Sequence, residues 1–279
     1  MLAANGRLFV VTLEGGIHVF GEKVGEEPTR HAMAKTAGQG AADQWAAKAD
    51  QVLKDSGQRE GYALVMGIET RRFIEELLRR SDLYVIAIDA DAQKVGDLRR
   101  LLRQQGLYGE RASAHVANPR SQPLPPYLAN LVVLNSKAAL GRSANRSELQ
   151  RFYRYLRPYG GATWSRNEST SQARLEIAKI QEAKLAQAEI SRTANRLVIR
   201  RVGALPGSSD WSHSGANAAN AGASQDLFIK APLGLLWYDG ALRWQRKPGS
   251  TVLRVAGGRI LVLADDLHAL DSYTGRHLW

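Results

Sequence analysis

The 279-residue sequence contains no cysteine. This absence excludes disulfide scaffolds, metal sites built from thiolates and cysteine nucleophiles. It leaves the redox compartment open, because a chain without thiols tolerates either side of a membrane. The sequence also lacks any apolar run of about eighteen residues, so we expect no transmembrane helix.

Targeting and metal-binding patterns are missing as well. Met1 to Leu8 lack the basic start, the apolar stretch and the cleavage site of a signal peptide. Without a membrane span, this favours the cytoplasm. His31, His115 and His213 show neither helical nor paired spacing, so we expect no metal site.

Positive charge is what the sequence has in excess, with 38 Lys and Arg against 27 Asp and Glu and a formal net charge of +11. Such a balance attracts polyanions. The basic residues are nevertheless spread at helical spacing among acidic ones, as in Arg71 to Arg80 with Glu75 and Glu76. This mixture is typical of a solvated helix face. We therefore expect no specific nucleic-acid binding.

Differences in composition divide the chain into segments. Residues 1–21 are β-type sequence, with a hairpin predicted across a glycine turn. A linker and a leading helix follow over 22–60, and an α/β domain over 61–204. Residues 205–230, rich in Gly, Ser, Ala and Asn, predict a surface loop, and β-type sequence returns over 231–279.

The segment 61–204 alternates short apolar strands with amphipathic helices of about ten to fifteen residues. Alternation of this kind predicts βαβ units and a mostly parallel sheet covered on both faces, the Rossmann-like doubly wound arrangement. The last helix is predicted over Ser169–Ile190. The predicted strands are Tyr62–Met66, Leu83–Ile88, Arg111–Val116, Leu131–Leu134, Gly161–Ser165 and Arg196–Val202.

A ligand of a doubly wound sheet lies outside the carboxyl ends of its strands. Gly67 follows the first predicted strand and permits a close backbone approach. Asp89 ends the second strand about twenty residues later, where a carboxylate can accept hydrogen bonds from two ribose hydroxyls. Asn118 follows the third strand. The spacing thus predicts a nucleoside site at this edge.

On these residues, the region from about Gly61 to Val202 resembles class I S-adenosylmethionine-dependent methyltransferases. The resemblance implies S-adenosylmethionine as cofactor and methyl transfer to an unidentified small-molecule or protein substrate. Asn118 stands where the family usually has an Asp near the adenine amino group. The residues that the resemblance assigns to the cofactor are Gly67, Ile68, Glu69, Asp89, Ala90 and Asn118.

The sequence also departs from the family pattern. Glu69 and Arg71 occupy positions where small residues are expected, and both side chains must point away for a cofactor to bind. No general base can be named. Two functions therefore stay open: a methyltransferase, and a catalytically silent insertion in a binding scaffold.

Two nearby residues have alternative interpretations. Asp91 either takes part in the candidate site or, as we predict, is the N-cap of the helix that begins at Ala92. Tyr127, after two prolines, either packs a loop or lines a pocket.

The final residues, Ala269 to Trp279, follow the pattern Ala-x-Asp-x-x-Thr-Gly-x-x-x-Trp. This pattern resembles the repeat of pyrroloquinoline-quinone-type β-propellers. Asp271, Thr274 and Gly275 suit a tight turn, and Trp279 suits docking between blades.

Leu2–Phe20 and Leu233–Trp237 resemble further pieces of such blades. The resemblance implies a longer propeller protein that carries the α/β domain as an insertion, with the remaining blades as partners. Quinone chemistry would need a complete ring of blades and a calcium site, so we do not expect the quinone itself as a cofactor.

Overall fold

The computed structural model describes residues 2–12, 17–21, 43–135, 145–167, 169–229, 231–238, 252–263 and 266–279. Most of the predicted linker, together with His31 and the glycine turn of the first hairpin, lies outside these residues. The chain divides into two compact units, Met1–Ala34 and Lys35–Trp279. The domain boundaries drawn from the sequence stay predictions.

The first unit contains a small antiparallel sheet of β1 (Leu2–Ala4), β2 (Arg7–Val11) and β3 (Ile17–Phe20). Leu8 pairs with Phe20 and Val11 with Ile17, so the two predicted strands of the first hairpin pair as antiparallel neighbours. Every residue of β3 is exposed. A sheet this small with so little burial needs further contacts for stability.

The second unit is built on a seven-stranded sheet, whose order is β6-β5-β4-β7-β8-β10-β9. The first five strands in this order are parallel, and β10 runs antiparallel to both β8 and β9. The arrangement is consistent with the Rossmann-like methyltransferase fold predicted from the sequence. The strands are β4 (Glu60–Met66), β5 (Asp82–Asp89), β6 (Ala112–Val116), β7 (Leu131–Leu134), β8 (Ala162–Arg166), β9 (Ala188–Thr193) and β10 (Arg196–Arg201).

Helices cover both faces of this sheet, because successive strand residues point to opposite sides. In β4, Ala63 and Val65 pack with the first three helices, whereas Leu64 and Met66 pack with the last two. Both faces of the central strands are thereby buried, as the apolar runs predict. The helices are α1 (Gln44–Ser56), α2 (Arg71–Arg79), α3 (Ala92–Gln104), α4 (Arg146–Tyr155) and α5 (Thr170–Glu182).

The predicted long helix over Ser169–Ile190 was wrong over its last eight residues. α5 ends at Glu182, and β9 begins at Ala188. Lys184 and Gln187 adopt positive φ angles of 50° and 58°, which end the helical path. The reason is tertiary, since β9 pairs along its whole length with β10, whose sequence lies beyond the helical pattern.

A second antiparallel sheet, of β11 (Val252–Ala256), β12 (Arg259–Leu263) and β13 (Leu267–Asp271), closes the described chain. The predicted apolar run Leu233–Tyr238 is irregular. The described residues contain no closed ring of blades, so the propeller context stays a prediction. None of their helices is both long and apolar enough to cross a bilayer.

Candidate functional site

Gly67 makes the turn that leaves the carboxyl end of β4. Its φ is +87°, a left-handed conformation that side chains disfavour. Its amide donates to the carbonyl of Ile88 at 2.7 Å, and the amide of Asn135 donates to the carbonyl of Met66 at 3.1 Å. The turn is therefore tied to the ends of both neighbouring strands, β5 and β7.

Asp89 ends β5 beside this turn. Its Oδ2 accepts from the amide of Ile68 at 2.6 Å, and its Oδ1 accepts from the amide of Asp91 at 2.9 Å. The side chain is only partly buried and Ala90 is exposed. Each carboxylate oxygen has a further lone pair for a ligand hydroxyl. The structure thus brings Gly67, Ile68 and Asp89 together, as the sequence predicted.

Asn118 lies on the next turn along the same edge. The amide of Ala117, just before it, donates to the carbonyl of Asp89 at 2.9 Å. The Oδ1 of Asn118 accepts from the amide of Arg120 at 3.0 Å, and the residue is exposed. This bond leaves the Nδ2 group as the part of the side chain able to donate to a ligand.

The side chain of Glu69 contacts α1. Its carboxylate forms an ion pair with Lys48 of α1, a residue that the sequence interpretation missed. The Lys48 side chain is only 12% exposed, against 40% for Glu69. Arg71, the other bulky residue at this turn, is exposed on the first turn of α2.

The position of Lys48 depends on how α1 begins. Asp43 caps this helix by accepting from the amides of Trp45 and Ala46, and its carboxylate also accepts from Arg72 Nε at 3.1 Å. The Ala46 amide, aided by Arg72, holds the pKa of Asp43 below its ordinary value against the effect of burial. A charged N-cap therefore fixes α1 against α2.

A cavity of about 420 Å³ opens beside Lys48, at the carboxyl ends of β4, β7 and β8. We call it the Lys48 cavity. It combines two cationic side chains, one carboxylate, several amides and two indole rings. Its lining residues are Gln44, Trp45, Lys48, Glu69, Leu134, Asn135, Trp164, Arg166, Asn167 and Asn195.

Aromatic rings surround the Lys48 ammonium. Its Nζ lies 4.8 Å from the ring centroid of Phe73 and 5.8 Å from those of Trp45 and Trp164, which are cation–π distances. The same Nζ donates to Asn135 Oδ1 at 2.9 Å. Asn135 Nδ2 is buried and finds no hydrogen-bond partner among the described residues.

The structure also distinguishes between the alternative interpretations of Asp91 and Tyr127. Asp91 is the N-cap of α3, with its side chain accepting from Gln93 and Lys94. Tyr127 packs edge-on against Tyr273, with centroids 5.6 Å apart, and lies outside the Lys48 cavity. It is therefore a loop-packing residue. In the described part of the chain, no cluster of three metal-ligating side chains occurs.

Comparison with known proteins yields structural neighbours only. No protein-family model matches the sequence, and no curated protein is significantly similar to it. A candidate S-adenosyl-L-methionine-dependent methyltransferase of Methanococcus maripaludis superposes with a TM-score of 0.46 at 14% identity, covering 58% of this chain and 86% of that chain.

Other solved methyltransferases are similar to the same extent. A SAM-dependent O-methyltransferase of Thermotoga maritima gives a TM-score of 0.45 at 14% identity, covering 57% of this chain and 66% of that chain. A SAM-dependent methyltransferase of Aquifex aeolicus gives a TM-score of 0.44 at 15% identity, covering 55% of this chain and 87% of that chain. Similarities of this size do not establish function, and the fold assignment depends on the strand order described above.

Proposed function

We propose that the α/β domain binds S-adenosylmethionine across the carboxyl ends of β4, β5 and β6, and transfers its methyl group to an acceptor molecule. The observation that carries this proposal is the direct bond between the turn after β4 and Asp89, from the amide of Ile68 to Oδ2 at 2.6 Å. In a doubly wound sheet, this is the edge where a nucleoside binds.

The residues at this edge fit the cofactor. Gly67 would admit the cofactor to the backbone, Asp89 would accept hydrogen bonds from the ribose hydroxyls, and Asn118 would donate to the adenine ring. Glu69 does not obstruct them, because Lys48 holds its carboxylate in the cavity. The exposed Ala90 adds no bulk near the ribose position.

S-adenosylmethionine supplies an electrophilic methyl group on its sulfonium. The protein's own contribution would be to hold the acceptor nucleophile in line with that group and to exclude water, which is catalysis by proximity and orientation. No side chain of the described residues is assigned as a general base. The acceptor is a small molecule or a protein group.

Titration calorimetry with S-adenosylmethionine tests the proposal. We expect binding by the unmodified chain and at least a tenfold loss for Asp89→Asn, because the amide accepts fewer hydrogen bonds than the carboxylate. Asp97→Asn, at a partly exposed residue of α3 that pairs with Arg100, is the matched control and should bind normally. If the unmodified chain shows no heat of binding, or if both variants bind S-adenosylmethionine equally well, the cofactor assignment is refuted.

A catalytically silent insertion in a binding scaffold is the second candidate. The observation that favours it is the ion pair between Lys48 and Glu69, which occupies the turn where the family usually has small residues. Labelled S-adenosylmethionine added with a cell extract discriminates the two functions. A methylated product that depends on the chain refutes the silent alternative, and its absence despite cofactor binding supports it.

We further propose that the two three-stranded sheets are propeller blades. Support comes from the turn after β13, where Asp271 Oδ1 accepts from the amides of Tyr273 and Thr274. The ring of Trp237, from the other predicted blade piece, lies directly over Gly275 of this turn. Trp279, which the sequence assigned to docking, is 57% exposed in the described chain. The quinone forms no part of this proposal.

A further inference from the structure

The charges and amides of the Lys48 cavity favour an anionic ligand. Lys48 and Arg166 contribute two positive charges, and Glu69 contributes one negative charge. Arg166 is exposed at the end of β8 and forms no ion pair with any residue that the structure describes. A guanidinium without a partner, at the mouth of a cavity, is suited to bind a carboxylate with two parallel hydrogen bonds.

A buried donor in the cavity points to an acceptor atom on the same ligand. Asn135 Nδ2 is buried and has no partner among the described residues, although its Oδ1 is held by Lys48. An unsatisfied buried donor of this kind destabilises the cavity, because it has lost its hydrogen bonds to water. A ligand oxygen at this position would remove that destabilisation.

The walls of the cavity indicate the rest of the ligand. Trp45 and Trp164 both line it. The half-buried Trp45 ring is the wall open to a ligand, because Trp164 is only 1% exposed. An aromatic wall favours a flat apolar group by stacking. The cavity volume of about 420 Å³ accommodates a molecule of this size.

We propose that the Lys48 cavity binds the methyl acceptor, and that this acceptor is a small aromatic carboxylate whose carboxyl group pairs with Arg166. The inference rests on the proposed function above. Arg166 ends β8, which is separated from β5 and Asp89 by β4 and β7. Three strand spacings amount to about 14 Å, so Arg166 lies far from the nucleoside position.

Benzoate and its neutral analogue benzamide are the probes. We expect benzoate to bind the unmodified chain, benzamide to bind at least tenfold more weakly, and Arg166→Gln to lose at least tenfold in benzoate affinity. Arg154→Gln is the matched control, because Arg154 is an exposed arginine of α4 on the opposite face of the sheet. Equal affinity for both probes, or an unchanged Arg166→Gln variant, overturns the proposal.

A second experiment tests whether the Lys48 cavity binds the methyl acceptor or the carboxylate of the cofactor's own methionine. Benzoate is titrated again with saturating S-adenosylmethionine, and separately with methylthioadenosine, which lacks that carboxylate. Undiminished benzoate binding in both cases supports an acceptor site. If S-adenosylmethionine alone displaces benzoate, and Arg166→Gln weakens S-adenosylmethionine itself, the cavity holds the cofactor's carboxylate and the acceptor assignment is overturned.

The two proposals fail in different ways. If the chain binds benzoate through Arg166 but gives no heat with S-adenosylmethionine, the methyltransferase function and the acceptor role are both refuted. The carboxylate site itself then stands. A chain that binds S-adenosylmethionine but not benzoate keeps the cofactor site and loses this inference. Circular dichroism of each variant confirms that its fold is intact.

Discussion

Arg157 and Asp271 form a nearly buried ion pair between the α/β domain and the second antiparallel sheet. Arg157 lies just before β8, and Asp271 ends β13, with side chains 12% and 2% exposed. A second ion pair, of Arg276 with Glu60 at the start of β4, lies at the same end. The small sheet is thus docked against the amino ends of the parallel strands, opposite the candidate site.

The first prediction concerns this pair. Arg157→Met leaves the Asp271 carboxylate buried without its cation, so we expect a loss of about 3 kcal/mol in the free energy of unfolding. Urea denaturation measures it. Arg100→Met, which breaks the exposed pair with Asp97 on α3, is the control and should change stability very little. Similar losses in both variants would show that the docking ion pair contributes no more to stability than an exposed one.

The second prediction separates backbone strain from binding at Gly67. Gly67→Ala should destabilise the chain by about 1–2 kcal/mol, since φ is +87° there. Gly109→Ala has the same strain, with φ +90° and no heavy atom within 4 Å of the new Cβ. Urea denaturation should give similar losses, whereas calorimetry should show weaker S-adenosylmethionine binding for Gly67→Ala alone. Equal binding by both variants contradicts the assignment of Gly67.

The third prediction tests the turn after β13. In Gly275→Ala the new Cβ would overlap the Trp237 ring, in addition to the strain of φ +71°. We expect a loss of about 3 kcal/mol, together with a change in tryptophan fluorescence. Gly222→Ala, with φ +70° and open space around its Cβ, should cost only about 1 kcal/mol. If both variants lose the same stability, Trp237 does not pack on this turn.

The fourth prediction is a pH dependence. Burial raises the pKa of Tyr153 to about 12, although nearby Arg201 opposes the shift. A folded-state pKa above the ordinary value of 10.0 favours the neutral phenol in the native protein. Its contribution to stability is therefore complete below pH 10 and is lost as the pH rises towards about 12.

Unfolding measured between pH 9 and pH 12 tests this prediction. Tyr153→Phe should show a shallower fall of stability across that interval, despite losing the hydrogen bond from the hydroxyl to the carbonyl of Ala186 at 2.6 Å. Tyr238→Phe, at a site that is 82% exposed, is the control. If the stability of Tyr153→Phe falls with pH in parallel with that of the unmodified chain, ionisation of Tyr153 does not contribute to the loss of stability.

The sequence determined the elements whose signals are local. Leu131–Leu134 is a strand with the predicted limits, because four consecutive apolar residues buried on both faces leave little ambiguity. The proximity of Gly67 and Asp89 was predictable for a similar reason, since each lies at the carboxyl end of an apolar strand and parallel strands bring these ends to one edge.

Only the tertiary structure decided the contacts between distant segments. Lys48 reaches Asn135 across 87 positions, and Arg157 reaches Asp271 across 114. The segment Ala188–Thr193 forms strand β9 because it pairs with β10, although its own sequence favours a helix. The Lys48 cavity and the docked sheet arise from packing among distant segments, and periodicity within a single segment carries no information about such packing.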